Sequence, residues 1–145
     1  MKLLALMLIL ATDNWVGTWN MDTARSSYNP GPMPQRVILK YEFIEGGVKV
    51  TNDTVDAEGK SVVRTTTLKF DGKDYPYLNN VNADSASGKR MDDYSFETTW
   101  KKGGNATLSQ KISVSRDLKT LTVIQSGKDV QGRTVRNVSV YSKSQ

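Results

Sequence analysis

The chain has 145 residues, about one domain's worth, with 20 Lys and Arg against 15 Asp and Glu for a formal charge of +5. It has no Cys and no His, which removes disulfides, thiolate nucleophiles, imidazole bases and the usual zinc ligands together. The charges are scattered, no basic run interleaves with aromatics, and the carboxylates do not cluster at calcium-loop spacing, so neither nucleic acid nor metal nor cofactor is expected.

Met1-Lys2 followed by the nine apolar residues Leu3 to Ala11 reads as a signal peptide over residues 1–11, leaving a single domain over 12–145 and a periplasmic or secreted location. Nine apolar residues are too few for a membrane-spanning helix, which needs ~20. The stretch Asn14 to Asn20, with Trp15, Gly17 and Trp19, reads as a first strand. Asp22 to Pro34 then places Pro30, Pro32 and Pro34 within five residues, a density that leaves only a loop.

From Gln35 onward strands and turns alternate. Val37, Leu39, Tyr41 and Phe43 share one face of a strand that turns at Glu45-Gly46-Gly47. A second strand covers Val48 to Asp56. A third puts Val62, Arg64, Thr66, Leu68 and Phe70 on one face and turns at Asp71-Gly72. A brief strand follows near Tyr75-Pro76-Tyr77, an irregular loop over Leu78 to Gly88 and a short strand at Lys89-Arg90-Met91. Tyr94, Phe96, Thr98 and Trp100 give the cleanest two-residue period in the chain. Ala106 to Val114, Leu121 to Gln125 and Thr134 to Ser142 complete the series. The outcome is an all-β chain, an up-and-down antiparallel β-barrel of about 8–10 strands, since closure removes exposed edges; a β-sandwich is the alternative.

Gly17-Thr18-Trp19, the glycine-punctuated hairpins, and the strings FDGKDYP (Phe70 to Pro76), WKKGG (Trp100 to Gly104), LKTLTV (Leu118 to Val123) and VQGRTVRNVSVY (Val130 to Tyr141) resemble the lipocalin and fatty-acid-binding-protein group of calycins, most closely small exported bacterial lipocalin-like proteins. The resemblance implies a cavity for a small hydrophobic or amphipathic molecule. It also implies that Gly17 and Trp19 close one end of the barrel, with Arg133 or Arg136 as the cation over Trp19. In fatty-acid-binding proteins an Arg-x-Tyr pair on the last strand grips the ligand carboxylate; the matching positions here are Ser139 and Tyr141, so the Tyr is kept and the Arg is missing. That leaves Arg64, Arg90 or Arg136 to supply a charge.

The ligand-binding candidates are Tyr41, Arg64, Phe96, Trp100, Arg136 and Tyr141. Arg64 is in the cavity if Leu68 and Phe70 point inward, and in solvent otherwise. Arg136 is in the cavity if Val138 and Val140 point inward, and in solvent if Ser139 and Tyr141 do. The expected function is that of an exported small-molecule carrier. The alternatives are a His-independent enzyme on the same barrel, for which no catalytic residue stands out, and a filled barrel serving as an interaction module. Stable membrane insertion is not expected, because a chain with 37% hydrophobic residues lacks the outward apolar band of a transmembrane barrel.

Overall fold

The computed structural model describes residues 13–144, so the expected signal peptide lies outside the described residues. Eleven strands form one antiparallel sheet: β1 (Gly17–Met21), β2 (Ser27–Asn29), β3 (Arg36–Ile44), β4 (Gly47–Val55), β5 (Ser61–Lys69), β6 (Tyr75–Leu78), β7 (Ser85–Asp92), β8 (Ser95–Lys102), β9 (Asn105–Val114), β10 (Thr120–Lys128) and β11 (Thr134–Lys143). From β3 to β11 each strand pairs with the next, and β1 pairs with both β3 and β11, so the sheet closes into a barrel. Closure excludes the sandwich and leaves no long free edge.

Two segments depart from the sequence reading. The expected loop over Asp22 to Pro34 contains a 3-10 turn at Thr23–Arg25 and the strand β2. Asp22 caps that turn, its carboxylate accepting from the Ala24 and Arg25 amides and from Arg25 Nε at 2.8 Å. The turn displaces the chain sideways, and β2 resumes pairing along β11, with Tyr28 opposite Asn137. The proline run then ends the pairing, because prolines supply no amide donors. The second departure is β7, which begins at Ser85 inside the expected loop and takes its hydrogen bonds from β8, Ala86 lying opposite Trp100.

The inward rows are Val37, Leu39 and Tyr41 on β3; Val48, Val50, Asn52 and Thr54 on β4; Arg64, Thr66 and Leu68 on β5; and Val135, Asn137, Ser139 and Tyr141 on β11. Phe43, which shares a face of β3 with Val37, Leu39 and Tyr41, is nevertheless 49% exposed, because it stands at the barrel rim just before the hairpin reverses. Arg136 lies on the outer face, since Ser139 and Tyr141 take the interior.

The hairpin turns at residues 45–46, 70–74, 93–94 and 115–119 gather at one end, and that end is packed solid. Trp15, Phe70 and Phe96 meet edge to face or tilted, with centroids 4.9–5.9 Å apart, and Phe96 also meets Tyr41 at 5.7 Å. Val48, Leu68, Ile112 and Leu121 fill the space around them and are fully buried. Gly88 makes room for this cluster: a Cβ there would stand 2.5 Å from Leu68 Cδ1. Arg90 lies 4.9 Å over Trp15, held by Asp13 and Asp93. Trp19 Nε1 donates to the Trp15 carbonyl at 2.9 Å, and the cation over the Trp19 ring is Lys143 at 5.4 Å. The expected Arg133 instead binds Asp129 through Nε at 2.8 Å, within its own loop.

Candidate functional site

The opposite end, formed by residues 30–35, 56–60, 79–84, 103–104 and 129–133, opens into a cavity of about 350 Å³. That is enough for about a dozen waters at their liquid volume, and it falls within the size range of small-molecule pockets. The apolar part of the wall comes from Val37, Leu39, Val50, Leu108 and Val123, with Pro32 and Pro34 at the mouth. The rest is polar and aromatic. Alternation explains the mixture: β4 changes from valine to Asn52 and Thr54 as it leaves the packed end, and β10 changes from Val123 to Gln125.

Arg64 is the cation that lines this cavity. It sits directly opposite Asn52 in the β4–β5 ladder, and its guanidinium donates to Thr54 Oγ1 at 3.5 Å. The Thr54 hydroxyl donates in turn to Asn52 Oδ1. Among the described residues no carboxylate pairs with Arg64, and the acids of the cavity, Asp56 and Glu58, stand in the β4–β5 turn at the mouth. A half-buried guanidinium with one long hydrogen bond is suited to receive an oxyanion.

Four phenols surround it. Burial raises Tyr41 far above the ordinary tyrosine range, with Tyr77 adding to the shift. Burial likewise raises Tyr141, helped by Tyr28 and Tyr41. Tyr77 is pushed up to about 12 by burial, against the pull of Arg64 and the Asn80 amide. Tyr28 is raised by burial, although a hydrogen bond from Ser139 Oγ at 3.1 Å and the charge of Arg64 act the other way. All four therefore stay protonated at neutral pH and serve as hydrogen-bonding groups rather than bases.

The structure brings Tyr41, Arg64, Trp100 and Tyr141 together around one cavity. Phe96 lies beneath it, beside a void of only about 10 Å³ in the packed end, and Arg136 is outside the barrel. Gly17 and Trp19 sit at the closed end. Sequence reasoning did not single out Asn52, Thr54, Asn80, Asn82 or Gln125, and left Tyr28 within the expected loop over Asp22 to Pro34. The first two and Gln125 carried a usable signal, since each continues the two-residue period of an inward row. Asn80 and Asn82 lie in an irregular turn where no period applies. Among the described residues no group of three acidic side chains is placed to hold a metal ion, and no helix is long and apolar enough to cross a membrane.

No protein-family model and no curated protein matches the chain. Among solved structures it is similar to zebrafish ileal bile acid-binding protein in its crystal complex with cholic acid, with a TM-score of 0.50 and 12% identity over 90% of this chain and 99% of that one. The likeness is one of fold, an antiparallel β-barrel.

Proposed function

We propose that this chain is an exported carrier that holds a small amphipathic molecule in the barrel, its anionic group against Arg64 and its apolar part against Val37, Leu39, Val50 and Val123. The observation that carries this reading is the pairing of an open cavity of about 350 Å³ with a lining guanidinium that no carboxylate among the described residues neutralises. A cation in such a place favours a ligand that brings the missing charge. The zebrafish neighbour's complex with cholic acid supports the same class of ligand, an amphipathic acid. Export rests on the apolar run Leu3 to Ala11 after Lys2.

The test is native mass spectrometry of protein purified without detergent, followed by calorimetric titration with decanoate. Retained small-molecule mass or saturable decanoate binding supports the reading, and an empty protein that binds no amphipathic acid contradicts it. Cell fractionation with N-terminal sequencing tests export: removal of residues near 1–11 is expected, and an intact N-terminus in the cytoplasmic fraction would refute it.

A further inference from the structure

Five carboxamides line the cavity: Asn52, Asn80, Asn82, Gln110 and Gln125. In every one of them the carbonyl oxygen is already engaged within the protein. Asn80 Oδ1 accepts from the Asn82 amide at 3.0 Å, and Asn82 Oδ1 accepts from the Val130 amide at 3.2 Å. Gln110 Oε1 faces the Thr98 hydroxyl at 3.4 Å, and Asn52 Oδ1 accepts from Thr54. Gln125 Oε1 accepts from Asn137 Nδ2 at 3.1 Å.

Backbone donors fix three of these orientations, those of Asn80, Asn82 and Gln125. The Asn29 amide donates to Asn137 Oδ1 at 3.1 Å, which forces Asn137 to offer its nitrogen to Gln125, which in turn forces Gln125 to accept through oxygen. A main-chain N–H cannot exchange roles, so the Gln125 Nε2 group is left as a donor. The Asn80 and Asn82 oxygens are fixed by backbone amides in the same way. Among the described residues the amide nitrogens of Asn52, Asn82, Gln110 and Gln125 have no protein acceptor, while the Asn80 nitrogen, buried without a well-formed hydrogen bond, is turned toward the Tyr77 phenol.

Gln110 and Gln125 are direct partners across β9 and β10, and Thr98 and Asn137 continue the same level into β8 and β11. That row stands on a different part of the wall from Asn52 and Arg64, which belong to β4 and β5. The interior thus offers a cation on one side and a pair of neutral amide donors on another. The four phenols add hydroxyl donors, and the carboxylates are confined to the mouth.

We infer that the ligand is an acid carrying at least one further oxygen acceptor, such as a ketone, ester or ether, received by the paired amides of Gln110 and Gln125 while Arg64 holds the acid group. This deepens the carrier reading and rests on it. A plain alkyl acid would cover those donors with hydrocarbon, leaving them without partners in a desolvated wall. A ligand that brings acceptors removes that penalty, so discrimination follows from the donors rather than from cavity volume.

The test is calorimetric titration of the full chain with decanoate and with a set of decanoates bearing a single ketone at successive chain positions. At least one oxo acid is expected to bind about tenfold or more tightly than decanoate. In Gln125→Leu and Gln110→Leu that ratio is expected to fall towards one, with Gln125→Met as a second variant should Gln125→Leu not fold, and Arg136→Ala as an outer-face control that keeps the preference. Equal binding of decanoate and every oxo acid by the wild type would overturn the inference while leaving the carrier reading intact. A preference that survives both glutamine variants would overturn its assignment to these amides. Absence of binding by every acid would overturn the inference and the carrier reading together.

Discussion

Lys143 Nζ lies 5.4 Å from the ring centroid of Trp19, and Trp19 Nε1 binds the Trp15 carbonyl, so the last strand is clamped onto the first at the closed end of the barrel. Gly17 belongs to the same clamp, because a Cβ at that position would stand 3.1 Å from Lys143 Cε. Trp19→Ala therefore removes a fully buried ring and is expected to cost ~3–5 kcal/mol in chemical denaturation, whereas Lys143→Gln, which keeps most of the stem, should cost about 1 kcal/mol or less.

Gly47 and Gly88 give a second contrast. A Cβ at Gly47 would fall 2.0 Å from the Leu68 carbonyl oxygen, a backbone atom fixed in the β4–β5 ladder, while at Gly88 it meets the movable Leu68 side chain. Gly88→Ala is expected to cost ~1–3 kcal/mol through overpacking. Gly47→Ala should cost more, because the sheet itself must shift. Urea denaturation of the two variants side by side measures the order, and a milder effect at Gly47 would contradict it.

Stability should be insensitive to tyrosine ionisation below pH 10 and fall above it. The folded-state values of Tyr41, Tyr77 and Tyr141 are raised by burial, so the folded form binds more protons than the unfolded chain once the pH exceeds the unfolded tyrosine value. For Tyr77 the loss runs from about 10 to about 12, at ~1.4 kcal/mol per pH unit. The melting temperature should fall across that window in the wild type and fall less steeply in Tyr77→Phe, where Tyr41 and Tyr141 still contribute.

Much of the barrel was legible because most strands carry an uninterrupted two-residue period. Phe96, Thr98 and Trp100, or Leu39 and Tyr41, leave no doubt about which face is apolar. The last strand has no such signal, since Val135, Val138 and Val140 distribute apolar residues over both faces. Its parity is set by neighbours: Tyr28 of β2 stands opposite Asn137, Ser139 bonds to Tyr28, and Ser26 Oγ accepts from the Val140 amide. None of these contacts is visible in a sequence where Asp22 to Pro34 reads as loop. The early start of β7 has a similar cause. Ser85, Ala86, Ser87 and Gly88 have weak strand preference, and pairing with β8 overrides it.

The same parity makes a sharp prediction about two arginines. Arg136→Ala is expected to leave the affinity for an anionic amphiphile within about twofold of the wild type, because the side chain is on the outer wall. Arg64→Leu is expected to weaken it by about tenfold to a hundredfold, as a desolvated charge-assisted contact is lost.

The most direct measurement is a fluorescence titration of wild type and Arg64→Leu with an anionic naphthalenesulfonate probe, followed through both probe emission and quenching of Trp100, the tryptophan that lines the cavity. Saturable binding by the wild type at one site, with Trp100 quenched and affinity reduced at least tenfold in Arg64→Leu, is the predicted result. Equal affinity of the two proteins, or binding that leaves Trp100 emission unchanged, would contradict a ligand site inside the barrel anchored by Arg64.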